Sequence, residues 1–350
     1  YYKSDGRSKY NVIFNKYFEY NKEIYESIHS LKEKIHSSKD LNNHSKEIKS
    51  LERNITMFHV EVINEITKKH KIELIGFHGQ TIYHNSQEKI SLQLGDGNLL
   101  FELTKKNIVY NFRQNDINNG GEGAPLTPIF HQLILKQKKI DVPSCILNIG
   151  GISNATLVDN YNAYDFTSRD MVRVMSIDSW VRKNSTKKFD KDGKLASIGK
   201  TNEIILEQAQ ELYSNRKNKD TLSLDVNDFD VSFARGLSLE DGAATLTDFT
   251  GRIIAAELFT LLSNLSNNLF RILLSGGGRK NKSLINKIKE RIEKNVVFQP
   301  IDDYGIEGDF VESQAFAYLA IRNIINEPIS FPNTTGVNKA CTGGILIKTI

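Results

Sequence analysis

Ser144-Cys145-Ile146-Leu147-Asn148-Ile149-Gly150-Gly151-Ile152-Ser153-Asn154-Ala155-Thr156-Leu157-Val158 is the stretch on which the fold turns. Its apolar run breaks at Gly150-Gly151 and resumes at Asn154, which predicts a hairpin with a glycine turn. Downstream the pattern becomes strand and helix in alternation. Helices are expected near 176–184 and 202–213, with a basic loop between them over 183–200. Thr245–Leu265 reads as a long amphipathic helix. Ile272–Leu274 reads as a buried strand running into Ser275-Gly276-Gly277-Gly278. A helix at 283–294, a strand at 295–298 and an alanine-rich helix over 312–325 follow. Upstream, 8–20 alternates like a strand after an Asp5-Gly6 turn. Residues 22–70 carry helical spacing (Ile24, Ile28, Leu31, Ile35 and then Ile55, Phe58, Val62, Ile66). Short strands at 72–77, 90–94 and 108–112 lead to a glycine-rich loop, Gly120–Pro125, and a helix around 128–136. This order predicts an α/β chain of two related lobes.

Composition agrees. A chain of 350 residues has the length of about two domains and needs no covalent staples. Two cysteines, Cys145 and Cys341, cannot make a disulfide framework, which fits a reducing cytoplasm. With 46 basic and 42 acidic residues the net charge is only +4, so a concentrated basic face for nucleic acid is not indicated. No apolar run approaches the roughly 18 residues of a membrane span. The polar start has no signal-peptide core, and the chain opens on Tyr rather than Met, as a fragment would.

Three glycine clusters each follow a short apolar run: Gly120–Gly123, Gly150-Gly151 and Gly276–Gly278. Glycine lets backbone N–H groups approach an oxyanion. One such cluster alone reads as a tight turn; three, with carboxylates nearby, point to a phosphate ligand. No GxxxxGK[ST] loop and no GxGxxG opening a helix is present. His78 and His84 lack cysteine neighbours, so metal ligation by His or Cys is not expected, and no GxSxG elbow occurs. Asp248 reads as a solvated helix position and Trp180 as a core residue.

From Phe77-His78-Gly79-Gln80-Thr81 onward the chain resembles the anhydro-N-acetylmuramic acid kinase family. Asn111–Asp116, Gly120–Leu126, Leu147–Asn154, Thr245–Thr250, the triple glycine and Glu312–Ala317 carry the likeness. It implies the two-lobed sugar kinase, Hsp70 and actin type of fold (ribonuclease H-like), with ATP in a cleft. The expected lobes are 1–142 with 328–350, and 143–327. The family opens the 1,6-anhydro ring with water and phosphorylates O6, giving N-acetylmuramate 6-phosphate in cell-wall recycling, with ATP and Mg²⁺. The resemblance implies Asp165 as the base, by position the aspartate of a D-x-G-P-G-N motif. It implies Glu312, His78, Gly121 and Gly123 on the sugar side. It puts Asn148, Gly150, Gly151, Asn154, Gly276, Gly277 and Gly278 on the ATP side. A cytoplasmic enzyme is expected, with no membrane or nucleic-acid partner and with a homodimer left open.

Three departures accompany it. Nothing matches the family's first strand and its G-T-S-x-D-G loop. G-P-G-N is missing after Asp165, and the family's next aspartate falls at Asp178, thirteen positions on instead of nine. Read two bases later, codons for Met171–Met175 permit Gly-Pro-Gly-Asn, as a local double frameshift would leave. Lys219–Asp225 replaces a P-P-K-S segment. An inactive remnant, or a sugar- or nucleotide-binding protein without turnover, is the alternative.

Overall fold

In a computed structural model, the described residues are 1–162, 164–173, 175–216, 231–263, 270–292 and 295–348. Contacts divide the chain into Tyr1–Gln137 with Glu312–Ile350, and Lys138–Val311. The second break therefore precedes the alanine-rich helix instead of following it at 327/328. The expected 219–225 segment lies outside the described residues.

The first unit opens with a hairpin, β1 (Tyr2–Ser4) and β2 (Tyr10–Val12), turned at Asp5-Gly6. The predicted long strand over 8–20 is thus only its first few residues. The Asp5 carboxylate accepts the N–H groups of Arg7, Ser8 and Lys9, so the chain closes a turn there. Helices α1 (Lys22–Lys34), α2 (Ser38–Asn43) and α3 (Ser45–Thr67) follow. Asn21 caps α1 by accepting Ile24 N–H at 2.9 Å. Ile24, Ile28 and Leu31 of α1 pack with Ile48, Leu51 and Ile55 of α3, the heptad-like spacing having placed them on one stripe of each helix.

Then come β3 (Leu74–Phe77), β4 (Gln80–Asn85), β5 (Ile90–Leu94), α4 (Gly97–Thr104), β6 (Asn107–Tyr110), α5 (Gln114–Asn118) and α6 (Pro128–Gln137).

The second unit holds β7 (Ser144–Ile149), β8 (Ile152–Val158), β9 (Phe166–Arg173), α7 (Met175–Asn184), α8 (Lys194–Ile198) and α9 (Glu203–Arg216). It continues with α10 (Leu239–Leu261), β10 (Phe270–Ser275), α11 (Lys282–Lys289) and β11 (Val296–Pro300). The chain returns to the first unit with α12 (Val311–Ile324), α13 (Pro332–Thr335) and β12 (Ile345–Ile347). In the first unit β3 runs parallel to β6, and β12 pairs antiparallel on the other side of β6. β4 and β5 form a separate hairpin.

The second unit has one five-stranded sheet in the order β11-β10-β7-β8-β9. β7, β9, β10 and β11 run parallel and β8 runs against them. Counted from β7, this is the order of the ribonuclease H-like fold shared by sugar kinases, Hsp70 and actin. Ile272, Leu274, Leu147 and Ile149 are buried against α10 and its neighbours. α10 is buried on most of its circumference, not on one face as an amphipathic pattern predicts. Small residues allow this: a Cβ on Gly242 would sit 2.2 Å from the Trp180 ring, and one on Gly251 would sit 2.7 Å from Lys287 Cβ. Trp180 is indeed a core residue, with its Nε1 donating to Leu239 O at 3.0 Å.

Asp248 departs from its reading as a solvated position. It is 1% exposed and receives Lys287 Nζ at 2.8 Å, Arg291 Nη2 at 2.6 Å and Arg252 Nε at 3.0 Å. It ties α10 to α11. Burial works against its charge, but the three cations outweigh that and hold its carboxyl below the usual range.

Candidate active site

In an open α/β sheet, ligands bind outside the carboxyl ends of the strands, where the strand order reverses direction. Here the chain steps one way from β7 to β8 and the other way from β10 to β11. The switch point is therefore the carboxyl end of β7 and β10, where Asn148, Gly150-Gly151 and Gly276–Gly278 lie. The ladder puts Ser275 opposite Asn148, Asn148 opposite Asn154, and Asn154 opposite Asp170. One rung across four strands thus carries four polar residues.

The glycines here are required by close approach. Gly276 has φ +78°, and a Cβ on it would lie 2.5 Å from Asn148 Oδ1 and 2.6 Å from Ile149 O. A Cβ on Gly278 would lie 2.2 Å from Ile149 Cγ2, whereas one on Gly277 would meet nothing within 4 Å. Among the described residues, no acceptor meets the N–H groups of Gly150, Gly151, Gly277 or Gly278. The side-chain oxygen of Asn154 is likewise buried without a hydrogen-bond partner among those residues. The edge thus offers backbone donors around an open space, the chemistry of an anion cradle. All seven residues predicted for the ATP side are brought together.

Asp165 is not among them. It precedes β9, next to the β8–β9 turn, where it receives the Asn160 side chain and Asp159 N–H bonds its carbonyl. Tyr161 of the same turn donates to Ile140 O, ahead of β7. Asp165 therefore lies at the amino edge of the parallel strands. Five residues of strand, roughly 15 Å at about 3.3 Å per residue, separate it from the rung of Asp170. The register of β9 decides this placement.

The sugar-side residues fall in the first unit. His78 follows β3, with its ring 4.2 Å from that of Phe316 on α12. Its Nδ1 donates to Gly79 O at 2.9 Å, and its Nε2 accepts from Arg113 Nε at 3.2 Å. Those two bonds fix the neutral Nδ1–H tautomer. Burial, and then the charge of Arg113, pull its pKa down to about 3. His78 is therefore a neutral acceptor occupied by Arg113, not a proton carrier at neutral pH.

Arg113 also donates to Gly123 O at 2.8 Å. Gly121 and Gly123 belong to a loop wrapped on Asp116, which is fully buried. Asp116 Oδ1 accepts Gly123 N–H at 2.6 Å and its Oδ2 accepts Thr335 Oγ1 at 2.5 Å. A Cβ on Gly121 would sit 2.2 Å from Asp116 Oδ1. Burial raises the Asp116 carboxyl, with Thr335, Gly123 and Arg113 opposing.

Glu312 starts α12, four residues before Phe316. Its surface is reachable by solvent, yet the protein packed around it raises its carboxyl, against the pull of Arg113. Exposure and desolvation point different ways for this residue; a carboxylate recessed among protein atoms but still open to water satisfies both. Sequence reasoning missed Arg113, Asp116 and Arg279 as site-shaping residues. Arg113 and Asp116 sit inside a quoted motif, but their partners are distant in sequence.

This strand order with a glycine-lined switch point is an arrangement that nucleotide-dependent phosphotransferases of the sugar kinase type share with Hsp70 and actin. The family model described as anhydro-N-acetylmuramic acid kinase matches residues 9–349. A protein of that name from Pelagibacter ubique (strain HTCC1062) is 52% identical over 349 residues, covering 99% of this chain and 93% of its own. One from Zymomonas mobilis is 37% identical over 301 residues, covering 84% of this chain and 79% of its own. A solved structure, the activator of the 2-hydroxyisocaproyl-CoA dehydratase from Clostridium difficile with bound ADPNP, aligns at TM-score 0.36 and 13% identity. It covers 66% of this chain and 84% of that chain, a likeness too distant to bear on the fold. The chain belongs to the anhydro-N-acetylmuramic acid kinase family: it is a kinase that uses ATP on an alcohol group of a small sugar. No helix among the described residues is long and apolar enough to cross a membrane.

Proposed function

We propose that the sugar is 1,6-anhydro-N-acetylmuramic acid, opened by water and phosphorylated on O6 to N-acetylmuramate 6-phosphate. Water forms the new C1–O bond as the C1–O6 bond breaks. O6 takes the γ-phosphoryl group, ADP leaves, and a carboxylate accepts the proton of the water. The reaction belongs to cytoplasmic cell-wall recycling.

The observation that carries the reading is the rung Ser275–Asn148–Asn154–Asp170 beside two glycine turns with open N–H groups. Those turns suit the phosphates, and Arg113, Glu312 and the Gly121–Gly123 loop suit the sugar. Among the described residues no cluster of three His, Cys, Asp or Glu could hold a metal. Mg²⁺ would come in with the phosphates of the nucleotide, where one or two protein carboxylates commonly complete its shell.

For the base, the reading favours Asp170 over Asp165. Asp170 shares the rung of Asn154 at the switch point. In the shifted frame noted above, Gly-Pro-Gly-Asn would begin after one residue from Asp170, which is the D-x-G-P-G-N spacing; from Asp165 six residues would intervene.

A coupled ADP-release assay on this chain, with ATP, Mg²⁺ and the anhydrosugar, tests the proposal. Sugar-dependent release is expected. Release that ignores the sugar would refute the substrate, and no release would refute the activity.

A further inference from the structure

We propose that Arg279 is the positioning residue of the triple-glycine turn: it holds the Gly276 carbonyl aside and so keeps the Gly276–Gly278 backbone open to phosphate oxygens. The inference rests on the nucleotide reading of that turn.

Arg279 is an interior hub; its side chain is 8% exposed. Its Nη1 donates to Gly276 O at 2.8 Å and to Asp309 Oδ1 at 2.6 Å. Its Nε and Nη2 grip both oxygens of Asp302, at 2.7 and 2.8 Å. This is the two-pronged geometry that only a guanidinium supplies. Asp302 Oδ1 also accepts Gly308 N–H at 3.2 Å, and Gly308 O accepts Gly276 N–H at 2.9 Å. Gly308 has to be glycine for this, because a Cβ there would lie 2.7 Å from Arg279 Nε. Lys280 makes a second bond to Asp309.

Both polar groups of Gly276 are therefore taken, its N–H by Gly308 and its carbonyl by Arg279. In a planar trans peptide the carbonyl and the following N–H point to opposite sides. Drawing the Gly276 carbonyl to Arg279 turns the Gly277 N–H away from it. Without the Arg279 side chain the carbonyl keeps only the longer bond from the residue-279 backbone N–H, at 3.3 Å; it is held less firmly, and a carbonyl oxygen that turns toward a phosphate repels it. Arg279 need not touch the nucleotide to act in this way. For both Asp302 and Asp309 burial opposes ionisation, but the bonds from Arg279 prevail and hold the carboxyls below the usual range. The clamp therefore stays charged at neutral pH.

The test uses the full chain with R279Q, R279K and the milder D309N. Two quantities are read: calorimetric binding of ATP–Mg²⁺, and amide exchange of residues 276–281 without nucleotide. We expect R279Q and R279K to weaken ATP about tenfold or more, the scale of losing charged hydrogen bonds. D309N should weaken it less, and exchange at 276–281 should quicken in all three. KM for the anhydrosugar should change less than about twofold, whereas general loosening of the fold would move it too. Unchanged exchange would overturn the positioning role. Faster exchange with unchanged ATP affinity would overturn its link to the nucleotide. A parent chain that binds no ATP would instead overturn the nucleotide reading, and the inference with it. If R279Q fails to fold, R279K and D309N decide.

Discussion

The two glycine loops at Gly120–Gly123 and Gly276–Gly278 look alike in sequence and are opposite in construction. The first is wound on an anion. Gly121 N–H goes to Asp116 O, Glu122 N–H to Thr335 O and Gly123 N–H to the Asp116 carboxylate. The second is wound on a cation, with Arg279 drawing in the Gly276 carbonyl. In the first loop the carboxylate takes one N–H and backbone carbonyls take two; in the second a cation takes a carbonyl and the N–H groups of Gly277 and Gly278 are left outward. The second loop is therefore the one suited to phosphate, and the first cannot serve as a backbone anion cradle. Glycine count carries no such information; the charge of the residue at the centre of the loop does.

The largest effect expected is from Gly276→Ala. It forces a side chain into φ +78° and within 2.5 Å of Asn148 Oδ1. Strain of about 1–3 kcal/mol, added to displacement of the Gly150-Gly151 turn, should lower kcat/KM for ATP by roughly 100-fold. Gly277→Ala, with open space around its Cβ, should cost far less. Equal losses in the two variants would break the comparison.

Asp116→Ala should come next. It leaves the buried Gly123 N–H without its acceptor and the Thr335 hydroxyl with only a 3.5 Å bond to Phe331 O, a destabilisation of about 2–4 kcal/mol, seen as a lowered Tm. KM for the sugar should rise while ATP affinity is kept. Loss of ATP affinity would show that the loops do not have separate tasks.

A smaller effect concerns acid stability. The Asp248 carboxyl is held below its unfolded range, so its contribution is present above the unfolded carboxylate pKa of about 4. It is lost as pH falls through the lower folded value. Asp248→Asn should lower Tm at pH 7 and flatten the fall of Tm below about pH 5. An unchanged acid slope would contradict the three-cation account. The smallest effect should be that of His78→Gln. Its pKa near 3 means that no limb of the kcat/KM profile near pH 6–7 belongs to it, and Gln can still accept from Arg113. Disappearance of such a limb in this variant would contradict the neutral tautomer.

Much of this was legible in the sequence. The 144–158 hairpin, the strand running into the triple glycine and the 312–325 helix appear where periodicity and glycine breaks put them, because those are local signals. Asp165 is a different case, because register is not local: β9 begins only at Phe166, so that Asp170, not Asp165, pairs with Asn154. Asp248 misled for a related reason. A charged residue on a helix reads as exposed until two of its three cations arrive from Lys287 of α11 and from Arg291 just beyond it. Arg113, Asp116 and Arg279 act through partners that only the fold brings near.

The most direct test of the account is sugar-dependent ADP release by the parent chain, D165N and D170N measured side by side. The account predicts that D165N stays within about threefold of the parent, while D170N loses at least about 100-fold in kcat, the scale of removing a general base. Loss in D165N with activity kept in D170N would contradict it and return the base to the amino edge of the sheet.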